Sequence, residues 1–398
     1  MNDTAAFAPE SALAQARPAV RALSSSLIRD VANAGMGKAD VLPFWFGESD
    51  TPTPEFIRQV AADALAQGET FYSQNLGRPY LRETIAAYLS DLHGREISAE
   101  RIVATGSGMS GLQIANQLIL SPGDRVVAVT PLWPNIAEAP LILGAQVDRV
   151  SLDVENGRWT LDVDKLIAAL TPDTRMVVIN SPNNPTGWTI DDASIQAILA
   201  HCRKHGIWIL ADEVYQRLVY DPALRAAPSF MDHYQPGDRI ISVNSFSKAW
   251  SMTGWRIGWM VIPESLAQDA TKLVEYNFCC IFEPTQRAAA AAIREGEAEV
   301  ARMRAHLART RQLLIEGLSD LNRVSVPDAG GAMYAFLKVE GFDNSLELAQ
   351  RLVRETGLGL APGRAFGPEG EGWLRWCHAT SEAKIEQGLD RLRAFLRK

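Results

Sequence analysis

The sequence predicts an α/β protein in which a mostly parallel sheet is packed between helices and followed by a smaller α+β lobe. Three observations carry this. Short apolar runs alternate with helix-sized segments from Arg101 to Ile262, and strands buried on both faces read as continuous apolar runs. Beyond about residue 264 the pattern changes to long helices and then shorter strands. At 398 residues the chain exceeds what one small core organises, so two lobes are expected.

Taken in order, residues 1 to about 20 are rich in Ala, Pro and acidic residues without apolar periodicity. They read as an N-terminal arm or partner-wrapping segment. EFIRQVAADALAQ (55–67) has apolar residues at helical spacing and stops at Gly68, and RPYLRETIAAYLSDLHG repeats that grammar up to Gly94. Then come RIVAT, a glycine-rich turn into GLQIANQLIL, DRVVAV, RMVVINS, helical ASIQAILAHCRKHG, GIWILAD, DRIISVNS and WRIGWMVI. ESLAQDATKLVEYNF and the Arg- and Ala-rich stretch from Gln286 to Gly317 read as long helices, with strands near AMYAFLKV and GWLRWCHA. No solenoid repeat and no Gly- or Pro-rich linker separates independent units, so the lobes are expected to pack together. Ligands of such a sheet gather at the strand carboxyl ends.

Composition narrows the function. The net charge is −8 and no long Lys/Arg run occurs, which removes the electrostatic footprint of a nucleic-acid binder. No apolar stretch reaches the roughly 18 residues that a membrane span needs. The first residues, MNDTAAFAPESALAQARP, lack a basic segment followed by an apolar block, so no leader is read and a cytoplasmic location is expected. The four cysteines, Cys202, Cys279, Cys280 and Cys377, form neither a CxxC motif nor a disulfide framework.

Gly106-Ser107-Gly108-Met109-Ser110-Gly111 is a literal GxGxxG between a strand and a helix, the setting of a dinucleotide fingerprint. The next strand ends at Thr130 and Pro131 instead of the acidic residue that would hold a ribose hydroxyl, so a nicotinamide-dependent dehydrogenase is disfavoured. What survives is a seat for phosphate on free backbone N–H groups at a helix start, near Ser107. SPNNPTG (181–187) stiffens a loop at a strand end. Asp212 closes an apolar strand, with Glu213 beside it and Tyr215 three residues on, and a buried carboxylate there needs a cationic or hydrogen-bonding partner. A structural arginine or a helix cap would also satisfy it. SFSK (245–248) with Arg256 downstream sets an ammonium and a guanidinium among apolar neighbours. Desolvation and nearby cations lower a lysine's pKa and make its amine nucleophilic, as in Schiff-base lysines. His201 and His205 flank Cys202 at i,i+4 spacing, but no third ligand follows, so no metal site is expected.

Together, GESDTPTP, YSQNLGRPYLRETIA, SPNNPTG, ADEVY, SFSKAWSMTGWRIGW, APGRAFG and LRWCHA resemble, in order, the fold-type I pyridoxal-phosphate aminotransferases of classes I and II. The resemblance runs from about Ala19 to the C-terminus, and SFSKAWSMTGWR satisfies the family's lysine-attachment pattern at every position. It implies a seven-stranded large-domain sheet, with residues 1–45 forming an N-terminal arm and part of the small domain, 46–290 the large domain and 291–398 the C-terminal small domain. It implies that Lys248 carries pyridoxal 5'-phosphate as an imine and, once freed by substrate, moves the proton at the substrate Cα. Asp212 would pair with the pyridinium N–H, Tyr215 and Asn184 would hydrogen-bond the phenolic oxygen, and Trp133 would stack on the ring. The phosphate would be seated by backbone N–H groups of Gly108 and Met109, by Ser245 and by Arg256, with Tyr72 reaching across from a neighbouring subunit, which implies a homodimer. Arg375 would grip the substrate α-carboxylate, with Gly47 and Asn184 beside it.

The implied reaction is ping-pong transfer of an amino group from an L-amino acid to a 2-oxo acid. A carbon–sulfur β-lyase on the same scaffold is the alternative. A cofactor-binding transcription regulator would need an added helix-turn-helix, and the roughly 45 residues before Gly47 are too few and insufficiently basic for one. Phe44, Trp45, Phe46 and Phe366 flank the expected substrate positions and lean the reading toward apolar or aromatic amino acids.

Overall fold

A computed structural model describes residues 16–397. Most of the expected N-terminal arm lies outside them, and Pro18–Arg21 forms one helical turn. The central sheet contains β1 (Ile102–Thr105), β2 (Arg125–Thr130), β3 (Gln146–Ser151), β4 (Thr174–Asn180), β5 (Trp208–Asp212), β6 (Ile240–Ser245) and β7 (Gly258–Val261). Their order across the seven-stranded sheet is β1-β7-β6-β5-β4-β2-β3. β6, β5, β4, β2 and β3 pair in parallel, while β7 runs antiparallel to both β6 and β1. The direction of β7 follows from its connection. Residues 246–257 return to the sheet without the helical crossover that parallel strands require.

The sheet is mixed but mostly parallel, as expected, and both faces are covered. β1, β5 and β6 are buried at nearly every position because helices flank them on either side. β3, absent from the apolar runs read along the chain, is one of the two edge strands, and its sequence QVDRVS is half polar because one flank faces outward.

Helices α1 (Leu27–Gly35), α2 (Glu55–Ala66), α3 (Pro79–His93), α4 (Gly108–Ile119) and α5 (Asp192–His205) precede or surround the sheet. α3 and α5 end at Gly94 and Gly206, both in the left-handed region that glycine adopts without cost. The single helical stretch expected from Gln286 to Gly317 is two helices, Glu283–Glu295 and Glu297–Ser319. They divide at Gly296, where an added Cβ would run into the Ala292 carbonyl and the Trp250 ring.

The smaller antiparallel sheet has the order β8-β9-β11-β10, from β8 (Val324–Ser325), β9 (Tyr334–Val339), β10 (Ala361–Pro362) and β11 (Trp373–Cys377). Leu42–Pro43 pairs in parallel with Leu358–Gly359, which ties the segment leading to Gly47 onto this C-terminal region. Tyr334 stands opposite Cys377, and Arg375 stands opposite Phe336 and Ala361. Position 375 thereby faces the large sheet across a cleft.

Candidate active site

The carboxyl ends of the parallel strands meet at one rim. Asn180 and Asp212 are register partners at the ends of β4 and β5, and Ser245 ends β6 opposite Gly258 of β7. Above this rim opens a cavity of about 730 Å³ whose wall includes Gly47, Gly108, Met109, Trp133, Asn184, Asp212, Tyr215, Ser245, Lys248, Arg256 and Arg375. All the residues expected at a site are therefore brought together except Tyr72, which is 89% exposed on the outer surface.

Lys248 lies in the 246–257 connection, and an aromatic cluster below holds that loop in place. Phe246 is fully buried, with its ring centroid 4.9 Å from Trp259 and 5.3 Å from Trp250. The Lys248 amine donates to the Gly47 carbonyl at 2.5 Å and lies 5.5 Å from the Tyr215 ring centroid. Burial, aided by the Arg375 and Arg256 cations, pushes its pKa down to about 8. The amine is thus far more often neutral, and nucleophilic, than an ordinary lysine.

Asp212 is 2% exposed. Its carboxylate accepts only the Val214 N–H at 3.3 Å, and no cation lies within ion-pair distance among the described residues. Burial, reinforced by the neighbouring Glu213 charge, pushes its pKa up to about 7. Glu213 faces away from the cavity and accepts the Ser229 and Ser242 hydroxyls at 2.6 Å each. Burial raises its pKa as well.

The GxGxxG segment opens α4. Ser107 caps the helix by accepting the Ser110 N–H at 2.9 Å, which leaves the Gly108 and Met109 end facing the cavity. Strand β7 passes close beneath: a Cβ at Gly258 would sit 2.7 Å from the Gly108 nitrogen and 2.5 Å from the Asn244 carbonyl. Beside this helix start, the Ser245 hydroxyl donates to the Ser247 hydroxyl at 2.9 Å and accepts the Ser247 N–H at 3.1 Å. Arg256, with φ +52°, is held in the left-handed region and donates to the Thr253 carbonyl at 2.5 Å. Hydroxyls, a guanidinium and a helix N-terminus in one corner suit an anionic group of phosphate type.

Across the cleft, Arg375 is 2% exposed yet has no carboxylate partner among the described residues. It donates to Asn184 Oδ1 at 2.8 Å and to the Trp45 carbonyl at 2.5 Å, while its Nε has no partner. The guanidinium lies 4.5 Å from the Tyr334 ring and 4.8 Å from the Phe366 ring. An unpaired buried guanidinium on a cavity wall is a receptor for an incoming carboxylate. The Tyr215 and Tyr334 hydroxyls share a 2.6 Å hydrogen bond, and burial raises both pKa values.

The structure corrects the expected aromatic entrance. Phe44, Trp45 and Phe366 are core residues, with Phe44 packed against Trp376 at 5.0 Å, and of the four only Phe46 lines the cavity. His201 Nε2 is 2.7 Å from the Leu170 carbonyl, so its ring is engaged on the back of α5.

Several cavity residues escaped sequence reasoning: Asn180, Tyr334, Ser247, Ser26 and Arg29. Asn180 had a readable signal as a polar residue closing the apolar run RMVVIN. Its amide donates to the Asp212 carbonyl at 3.1 Å and its oxygen accepts the Asn184 N–H at 2.8 Å, which ties two rim residues to one side chain. Tyr334 and Arg29 carried no such signal, because chain segments far apart in sequence bring them in.

A mostly parallel seven-stranded sheet with a desolvated lysine at its carboxyl rim is the arrangement of the fold-type I pyridoxal-phosphate enzymes. The site's chemistry fits that cofactor: an amine for an aldehyde, a lone buried carboxylate for a ring nitrogen, and an anion corner for a phosphate.

Comparison with known proteins makes the class particular. Residues 39–392 match the model of the aminotransferase class I and II family. The aspartate aminotransferase of Pyrococcus horikoshii is 32% identical over 94% of this chain and 95% of that protein. Aromatic-amino-acid aminotransferase 2 of Thermococcus litoralis is 31% identical over 94% of this chain and 96% of its own length. The aspartate aminotransferase structure from Thermotoga maritima is 30% identical and superposes with a TM-score of 0.88, covering 96% of this chain and 100% of that one. The chain belongs to the class I and II aminotransferase family, a family that uses pyridoxal 5'-phosphate, and its activity is amino-group transfer between an amino acid and a 2-oxo acid.

Proposed function

We propose that the cavity between β5, β6 and β11 is the active site and that Lys248 is its covalent anchor and proton carrier. The observation that carries this reading is the Lys248 amine inside the cavity wall, with its pKa lowered to about 8 by burial, between an unpaired carboxylate and an unpaired guanidinium.

Bound pyridoxal phosphate supplies an electrophilic aldehyde and a ring that delocalises negative charge from the substrate Cα. Lys248 would offer its neutral amine to that aldehyde and, with the amine free, would take the substrate Cα proton and return it in the second half of the exchange. General-base catalysis of this kind is typically worth about 10²- to 10⁴-fold. Asp212 would hold the proton on the ring nitrogen. Tyr215 and Asn184 would donate toward the phenolic oxygen, and Trp133 would pack against the ring. The Gly108 and Met109 N–H groups, Ser245 and Arg256 would hold the phosphate. Arg375 and Asn184, with the Gly47 backbone, orient the substrate α-carboxylate so that the Cα–H faces Lys248.

The two half-reactions share this one site, which supports a ping-pong sequence. Aminotransferase relatives favour transamination over β-elimination. The domain reading pairs 46–290, which carries the sheet, with 291–398, and residues 1–45 join the latter through the Leu42–Pro43 and Leu358–Gly359 pairing.

A homodimer is supported by an exposed aromatic surface. Phe71 is 83% and Tyr276 87% exposed, alongside Tyr72. The segment carrying Phe71 and Tyr72 lies against the stretch just after Tyr276 through Asn75, which donates to the Cys279 carbonyl at 2.9 Å. A patch of this kind marks an interface, and a second copy covering it would bring Tyr72 to a neighbouring phosphate corner. A cytoplasmic setting accords with cysteines that are all unpaired. Among the described residues, no helix is long and apolar enough to cross a membrane.

The test is borohydride reduction of the cofactor-loaded protein followed by peptide mapping. The label is expected on Lys248, and a label elsewhere, or full turnover by Lys248→Ala, overturns the assignment.

A further inference from the structure

Arg149, on edge strand β3, grips a loop of the smaller lobe from outside the cavity. Its Nε donates to Glu369 Oε1 at 2.9 Å and to Oε2 at 3.1 Å, and its Nη2 donates to the Phe366 carbonyl at 3.3 Å. That carbonyl also accepts the Leu132 N–H at 3.1 Å. Leu132 follows β2 and Arg149 stands opposite Ala128 of β2, so both donors belong to one corner of the large sheet. Both acceptors belong to the 363–370 strap, which follows β10 directly. Arg149, Gly367 and Glu369 stand outside the cavity wall, and the proposed reaction gives them no use.

The strap's shape depends on this grip being close. Gly367 has φ +118°, and a Cβ there would run into both the Arg149 guanidinium and Glu369 Oε2. Gly363 and Gly370 pass so near each other that a Cβ on either would strike the other's carbonyl. Each side of the grip then leads to one element of the site. In the small lobe, Ala361 of β10, just before the strap, is the register partner of Arg375. On the large sheet, Leu132 precedes Trp133 in a segment bounded by Pro131 and Pro134. Proline has no N–H, so Leu132 and Trp133 carry the only two backbone donors of those four residues, and one of them goes to the Phe366 carbonyl. A planar guanidinium can hold a carboxylate and a carbonyl together, which a single ammonium does less well.

We infer that Arg149 and Glu369 are positioning residues for the reaction. Their ion pair fastens the 363–370 strap to the corner of the large sheet, and so sets the distance across the cleft between Arg375 and the segment that carries Trp133. The inference rests on the active-site reading above, since it takes the uses of Arg375 and Trp133 from there.

The experiment compares the cofactor-loaded wild type with Arg149→Met, Glu369→Gln and the double variant. Hydrogen–deuterium exchange at the Leu132 amide reads the strap itself. Visible circular dichroism reads the seating of the cofactor ring beside Trp133, and calorimetric binding of butyrate, an unreactive carboxylate, reads Arg375. In Arg149→Met, Leu132 exchange is expected to quicken about tenfold, butyrate affinity to fall about tenfold, and the visible dichroic band to shrink. Glu369→Gln keeps the carbonyl contact and should shift all three less. The double variant should match Arg149→Met, because partners in one ion pair do not act additively. Unchanged Leu132 exchange in Arg149→Met overturns the inference. So does a variant with a lowered denaturation midpoint but wild-type dichroism and butyrate affinity, which would make the pair merely structural. A wild type that binds no butyrate counts against the active-site reading, and the exchange arm would still decide whether Arg149 holds the strap.

Discussion

The Lys248 amine donates to the Gly47 carbonyl at 2.5 Å, a contact between residues 201 positions apart in sequence. Gly47 comes from the segment anchored on the C-terminal region and Lys248 from the carboxyl rim of the large sheet, so this bond spans the cleft. The position has no room for a side chain, because a Cβ at Gly47 would fall on the Tyr334 hydroxyl.

Gly47→Ala is therefore expected to displace Tyr334 from Tyr215 and to shift the carbonyl that meets Lys248. Overpacking of this sort costs about 1–3 kcal/mol. Denaturant unfolding and steady-state kinetics should show lowered stability together with at least about a tenfold loss of kcat/KM. A variant with wild-type values on both would show that the contact is dispensable.

The lowered pKa of Lys248 sets how fast cofactor-free protein takes up pyridoxal phosphate. Only the neutral amine attacks an aldehyde, so below about pH 8 the uptake rate should climb about tenfold per pH unit and then level off near that value. Stopped-flow absorbance across pH 6 to 10 reads this directly. A rate still climbing at pH 10 would mean an ordinary lysine.

Asp212 makes the opposite kind of contribution to stability. Its folded pKa, about 7, lies above the ordinary value of 3.8, so between these values the folded state holds a proton that the unfolded state has released. The stabilising effect is complete below about pH 4 and is lost as pH rises through 7, with a slope of up to about 1.4 kcal/mol per pH unit. In cofactor-free protein, Asp212→Asn should remove that slope and raise the melting temperature at pH 8 while abolishing most turnover. Equal pH dependence in the variant and the wild type would refute this origin.

Arg375→Lys keeps the charge and discards the planar fork. Substrate recognition by two parallel bonds should suffer about ten- to hundredfold in kcat/KM for every amino donor, acidic or neutral, mostly through KM. If the lysine variant binds a neutral 2-oxo acid as tightly as the wild type, the carboxylate lies elsewhere.

Much of the fold was legible because it depends on local pattern. The continuous apolar runs of β1, β4, β5 and β6 exist because helices cover both sheet faces, and glycines at 94 and 206 end helices where their backbone turns left-handed. Strand β3 was not legible as a run because half of its residues face outward and are polar. The aromatic segment near residue 45 misled for a related reason: Phe44 and Trp45 are as apolar as an entrance would be, but hydrophobicity alone does not say which side of the chain faces the core.

The sequence by itself determined the alternation of strands and helices, the absence of a dinucleotide acid, and the ordered blocks that place Lys248, Asp212 and Arg375 at a site. These are properties of residue type and spacing along one dimension. Tertiary structure alone decided which cations meet which carbonyls around residues 45–47, that Asn180 joins Asp212 to Asn184, and that Arg29 reaches the mouth. Each of those depends on segments distant in the chain being folded onto one rim, and distance between side chains has no signature in a single sequence.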